Sequence, residues 1–236
     1  MTHRRLTLVL PPLSQLNTPY PSTAYLSRAM KASGVPCEQR DLGIALMLKV
    51  FSEAGLKTIF DALEQREHLP EPAWHILALR QQHESAIDAV IRFLQGRDRT
   101  LANRILNTPF IPRGPRVAHV DLTAFGSMSV DDAARRLCTL YFDDLTDLIT
   151  ATIDEGFRLS QYSHHLCTGP VRFEPIAERL LETTPIDAML DELIDDMVND
   201  TQPDVVGISV AFPGMLIPAL RIGTNLRNRG IKVVMG

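Results

Sequence analysis

The sequence predicts an α/β protein: an open parallel Rossmann-like sheet in the flavodoxin-like order 2-1-3-4, with a large helical insertion between strands two and three. Three observations lead there. Short apolar runs rich in branched side chains stand near both ends of the chain, as in strands buried on both faces. Amphipathic stretches closed by glycine join them in pairs, the pattern of crossover helices. Between the pairs, residues 43–200 carry helical periodicity where one crossover helix would suffice.

Leu6-Thr7-Leu8-Val9-Leu10 is the first strand, and Pro11-Pro12 ends it because proline cannot donate to a ladder. Residues 13–22, rich in Pro, Ser, Asn and Thr, read as a loop. A helix is expected over 23–33, with Tyr25, Leu26, Ala29 and Met30 on its apolar face and Gly34 as its stop. Residues 35–42 fit a second strand. A β-loop-α-β unit of this length favours parallel pairing with a right-handed crossover.

Inside the insertion, residues 44–51 carry an apolar stripe, and 73–94 read as one long helix. His83 and Arg80 fall on its apolar side, as at a partly exposed junction. Residues 106–126 read mostly as loop. Ser129-Val130-Asp131-Asp132 has the form of an N-terminal cap, and Ala133, Leu137, Leu140, Tyr141, Leu145 and Leu148 continue it as a stripe. Cys138 belongs to that core. Thr184-Pro185 opens a last helix to residue 199, with proline at the favoured first position. Its acids Asp187, Asp191 and Asp195, with Glu192 and Asp196, read as a solvated face.

Sheet signals return at Val205-Val206-Gly207-Ile208-Ser209-Val210. A turn follows at Phe212-Pro213-Gly214, then an amphipathic helix over 217–229, Gly230, and a fourth strand over 231–235. The expected strands are therefore 5–11, 36–41, 204–210 and 231–235. The sheet unit comprises 1–42 and 201–236, and the insertion 43–200. A strand at the very end, with no helix to cover it, reads as C-terminal truncation.

Composition excludes several classes. The chain has 236 residues, 45% apolar and 22% charged, with a formal charge of −4. No Lys/Arg cluster of the kind that tracks a phosphate backbone is present, which argues against nucleic acid. The basic start and the apolar residues 6–13 are too short to span a bilayer, so no membrane role is expected. Cys37, Cys138 and Cys167 are far apart and odd in number. That pattern suggests neither disulfides nor zinc, and suits a reducing cytoplasm. His164, His165 and Cys167 lack a fourth ligand of sensible spacing, and no metal site is expected. No GxGxxG, GxxxxGK[ST] or GxSxG occurs.

In open α/β sheets ligands sit beyond the carboxyl ends of the strands, where strand order reverses. Here that places them at residues 11–22 and 211–216, loops without charge. Asn17, Thr18, Ser22 and Thr23 suit either capping or ligand contact, as do Ser209, Pro213 and Gly214 in their strand end and turn. Gly236 allows close backbone approach.

The run Pro11-Pro12-Leu13-Ser14-Gln15-Leu16-Asn17-Thr18-Pro19-Tyr20-Pro21-Ser22-Thr23-Ala24-Tyr25-Leu26 resembles the opening of a group of cobalamin-binding radical SAM proteins. Pro203-Asp204-Val205-Val206-Gly207-Ile208-Ser209-Val210, then Phe212-Pro213-Gly214, looks like their third strand and turn. Val233-Val234-Met235-Gly236 is similar to the strand before their paired glycines. Phe93-Leu94-Gln95-Gly96-Arg97-Asp98 and Leu140-Tyr141-Phe142-Asp143-Asp144-Leu145 are also similar.

The resemblance implies the N-terminal cobalamin-binding portion of a radical SAM enzyme. Such an enzyme cleaves S-adenosylmethionine reductively at a [4Fe–4S] cluster, here in a downstream radical SAM domain that is also the expected partner. Candidate cofactor-binding residues are Ser14, Gln15, Asn17, Thr18, Tyr20, Ser22, Thr23, Ser209, Pro213, Gly214 and Gly236; no catalytic residue is expected in this chain. The cluster motif CxxxCxxC and the cobalt-ligating DxHxxG are both absent. With no histidine at residues 11–22, the loop is expected to hold cobalamin through backbone and through Asn17, Thr18 and Ser22, without coordinating cobalt. The alternative is a flavodoxin-like or receiver-like non-enzymatic module whose helical insertion docks a partner protein. A receiver would place an acidic cluster where Pro11-Pro12 stands.

Overall fold

Leu6–Leu10 (β1), Cys37–Asp41 (β2), Val205–Ile208 (β3) and Lys232–Met235 (β4) pair in parallel, in the order β2-β1-β3-β4. This is the expected sheet, seen in a computed structural model that describes residues 4–14, 16, 20–121, 128–159 and 173–236. The helices in chain order are α1 (Ser22–Ala32), α2 (Leu42–Val50), α3 (Glu53–Glu64), α4 (Glu71–Ala78), α5 (Arg80–Leu94) and α6 (Leu101–Asn107). There follow α7 (Pro115–Ala118), α8 (Val130–Thr152), α9 (Glu174–Leu181), α10 (Pro185–Thr201) and α11 (Leu216–Asn228). The chain divides into two compact units, residues 1–47 with 158–236, and 48–157. The boundary falls inside α2, and α9 and α10 belong to the sheet unit.

In the sheet unit, register sets Leu6 beside Cys37 and Val205, and Leu8 beside Gln39 and Gly207. Because the pleat alternates, Leu6, Leu8, Val205, Gly207 and Val234 share one face. Thr7, Val9, Val206, Ile208 and Met235 share the other. The second face is closed by α10 and α11. Thr7 Oγ1 donates to Thr201 Oγ1 of α10 at 3.1 Å. Gly223 of α11 brings its backbone down onto Ile208, Val233 and Met235. Val9, Val206, Ile194, Ala219, Ile222 and Leu226 are all buried there.

The first face carries α1, and here an expectation fails. The apolar stripe of α1 was expected to pack, yet Tyr25 is 73% exposed and Leu26 and Ala29 are exposed too. Ser27 is the one buried residue of the helix. Residue type favoured Tyr25 and Leu26 as core; the geometry of the crossover turns Ser27 to the sheet instead. Helix α1 also starts one residue early, at Ser22, and Pro21 at its cap makes no side-chain bond.

The acidic face of α10 is likewise not a simply solvated one. Thr184 and Asp187 form a capping box, Thr184 Oγ1 accepting from Asp187 N at 3.2 Å and Asp187 Oδ2 accepting from Thr184 N at 2.9 Å. Asp187 and Asp191 then meet Arg221 of α11, and Asp195 meets Arg229. Acids recurring every four residues on one helix face cations recurring every eight on the next, with Asn225 between them on Asp191 at 3.1 Å. Glu192 and Asp196 lie exposed.

In the helical unit, the expected single helix over 73–94 is two helices, α4 and α5, broken at Leu79 (φ −101°, ψ 16°). No Gly or Pro marks that break. It coincides with Arg80, which binds Asp61 and Glu64 of α3 and Glu84 of its own helix at 2.5, 3.0 and 2.7 Å. His83, expected at a partly exposed junction, is fully buried between Phe60 and Tyr141. Helix α8 begins as expected, with Ser129 Oγ accepting from Asp132 N at 3.1 Å, and Cys138 is in the core. Burial pushes that thiol up to about 12.

The stretch 106–126, expected mostly as loop, is so over most of its described residues, with α6 running to Asn107 and the short α7 inside it. Buried Asp144 of α8 supplies the reason for α7, accepting from Arg116 N at 3.0 Å and Val117 N at 3.4 Å. A cap from a distant helix leaves no local signal.

Candidate functional site

The parallel order puts the reversal between β1 and β3, and the loops leaving their carboxyl ends meet. Two contacts join them. Ser22 Oγ, in the first turn of α1, lies 2.7 Å from Ser209 Oγ, just past the end of β3. Tyr20 packs edge-on against Phe212, ring centroids 5.4 Å apart at 65°. The Ser22 hydroxyl therefore bridges two loops rather than capping its own helix.

Below this junction the first face of the sheet is open over β3 and β4. A groove of about 320 Å³ runs there, lined by Leu6, Leu8, Leu26, Val205, Gly207, Val234 and, toward the loops, Ser209 and Gly236. Gly207 makes the floor low. A Cβ at that position would stand 2.8 Å from Leu8 Cδ2, so any side chain would push Leu8 or fill the groove. The lining is almost wholly apolar, with Ser209 and Gly236 at its carboxyl end. Apolar clefts of a few hundred Å³ at a strand-order reversal are a usual place for a small-molecule site.

Of the residues singled out in the sequence, Tyr20, Ser22, Ser209 and Gly236 come together at the junction and its groove. Gly236 is tied to the end of β3, its N–H donating to Ile208 O at 3.0 Å and its carbonyl accepting from Val210 N at 2.7 Å. Pro213 opens a short 3₁₀ turn, Pro213–Met215, in which Gly214 is buried. Thr23 is half-buried beside Ser22. Ser14 lies instead against the start of α2, its Oγ 3.4 Å from where a Cβ on Gly43 would stand. Gln15, Asn17 and Thr18 lie outside the described residues, as do His3, His164, His165 and Cys167.

Sequence reasoning missed the groove floor. Leu6, Leu8 and Val205 were read only as core strand, and Leu26 only as packing. The one available signal was Gly207, a lone glycine inside a strand pattern, which marks a close approach.

Charge is sparse here. Pro11 and Pro12 are buried at the end of β1, and Asp41 at the end of β2 accepts from Ile44 N at 2.9 Å as a cap for α2. Among the described residues no group of three or more His, Cys, Asp or Glu could hold a metal ion. Nor is any described helix long and apolar enough to cross a membrane. Compared with protein-family models, with curated proteins and with solved structures, the chain finds no match.

Proposed function

We propose that this chain binds cobalamin at the junction of the β1 and β3 loops, as the N-terminal portion of a radical SAM enzyme. The observation that carries the reading is the groove: an apolar channel whose floor depends on Gly207, headed by the Ser22–Ser209 pair at the strand-order reversal. Its size would suit one arm of a large cofactor. The donor set agrees with a cofactor that is held but not ligated. The described loop residues offer hydroxyls, backbone and aromatic edges, and residues 11–22 contain no histidine.

Ser22 and Ser209 would orient the ligand through hydroxyl hydrogen bonds, and Tyr20 and Phe212 would shield its edge from water. Bound, cobalamin would supply cobalt-centred chemistry, methyl transfer in many such enzymes. The protein's part is placement and exclusion of solvent. The [4Fe–4S] cluster and S-adenosylmethionine would be held by a partner radical SAM domain, since this chain has no CxxxCxxC. Buried free thiols at Cys37 and Cys138 suit the reducing cytoplasm such a cluster requires.

Two experiments test this. Equilibrium dialysis against hydroxocobalamin should give one equivalent per chain; no uptake refutes the proposal. EPR of the Co(II) complex with cobinamide, which lacks its own axial base, should show no nitrogen superhyperfine splitting. Splitting would mean a histidine ligand and a different site.

A further inference from the structure

We propose that the His83–Tyr141 contact is an acid-sensitive latch of the helical unit: protonation of the imidazole destabilises the packing of α5 on α8. The geometry of three helices carries this. His83 of α5 is 1% exposed, its Nδ1 lies 3.1 Å from Tyr141 Oη of α8, and the two rings are parallel within 4°. Phe60 of α3 packs on the imidazole with centroids 5.9 Å apart. Nε2 is buried and has no hydrogen-bond partner. A neutral ring tolerates one unmet nitrogen; an imidazolium, with two N–H donors and a full charge, does not.

No neighbouring charge offsets that cost. On α3, Asp61 and Glu64 are bound to Arg80, and on α5 itself Glu84 is too, while Asp88 accepts from Glu53 N. Lys57 of α3 is exposed. On α8, Asp131 is paired with Arg135, whose guanidinium reaches Leu94 O, and Asp144 caps α7. Cys138 and Tyr141 are held neutral by burial. On α6, Arg104 stacks over Phe110. Among the described residues the other histidines, His68, His75 and His119, are exposed and lie in the same helical unit. His83 is thus the one described imidazole whose protonation must be accommodated inside a core.

Burial lowers His83 from 6.5 to about 4. The unfolded chain therefore takes up a proton first as pH falls. The stability that neutral His83 contributes is full above about pH 6.5 and drains away between there and about pH 4.

Trp74 on α4 is the chain's single tryptophan, so its emission reports the helical unit. Urea unfolding of the whole chain followed by Trp74 should be compared at pH 7.5 and 4.5 for wild type and His83→Gln, which keeps a hydrogen-bonding group without the titration. Wild type should lose on the order of 10² more in its folding constant than H83Q between those pH values. Equal losses overturn the latch. If H83Q does not fold, imidazole NMR of wild type decides: a buried ring still neutral at pH 5.5 supports the latch, and a ring titrating near 6.5 overturns it.

Discussion

Arg221 stands against two carboxylates of the neighbouring helix, its Nη2 2.5 Å from Asp191 Oδ2 and its Nε 3.8 Å from Asp187 Oδ1. Its Nη1 also donates to Glu182 O at 3.3 Å. Arg179 approaches Asp187 from the other side at 2.9 Å. With Arg229 on Asp195 and Asn225 on Asp191, the Arg221 guanidinium ties α11 to α10 over the second face of the sheet.

Removing it should be expensive. Arg221→Met keeps the aliphatic stem but leaves Asp191 with Asn225 alone and Asp187 with Arg179 as its one cation, and losing a half-buried pair of this kind costs about 2 kcal/mol. Urea denaturation should show that loss without a change in slope. A loss below about 0.5 kcal/mol would place the pair among exposed ones of little worth.

Gly114 is placed where only a bare backbone fits. A Cβ there would lie 2.3 Å from Asp144 Oδ2, the oxygen facing Val117 N. Gly114→Ala should displace the carboxylate and uncap α7, lowering stability by about 2 kcal/mol. Asp144→Asn keeps one acceptor, for Arg116 N, and gives up the longer bond from Val117 N, while it removes a charge that burial disfavours, the carboxyl being raised above the ordinary range by desolvation. Near neutral pH D144N should therefore cost less than G114A, as thermal melts of the two variants can check.

The sheet ends in an exposed strand. Val234 is 56% and Met235 38% exposed on β4, which among the described residues pairs only with β3. An unpaired apolar edge invites strand addition. The chain should self-associate at micromolar concentration in sedimentation velocity, and Val234→Lys should suppress it. A monomer at all concentrations would contradict this.

Within the proposed site, Gly207→Val should fill the groove while suiting a strand, so cobalamin binding should weaken at least about 10-fold with circular dichroism unchanged. Ser209→Ala removes one partner of the 2.7 Å hydroxyl pair. It should cost about 1 kcal/mol of stability and a few-fold in affinity. Equal binding by wild type and G207V would separate the groove from the ligand.

Strand placement and order were legible because apolar runs and the right-handed crossover leave few alternatives. The local cap at Ser129 was legible too, since its partner lies three residues away, whereas the box between Thr184 and Asp187 was hidden behind the reading of Asp187 as a solvated face. What else the sequence hid depends on distant partners. Asp144 capping α7, Arg221 answering Asp187 and Asp191, and the break at Leu79 all answer to another helix. The site divides the same way. The loops at the strand-order reversal followed from topology alone. The groove did not, because it exists where α1 presents Ser27 rather than Tyr25 to the sheet.

Hydrogen exchange of the chain with and without cobalamin tests the central claim most directly. Protection should appear in peptides carrying Tyr20 to Leu26 and Ser209 to Met215, with the helical unit unchanged. Binding that leaves those peptides unprotected, or no binding at all, would contradict a cobalamin site at the β1–β3 junction.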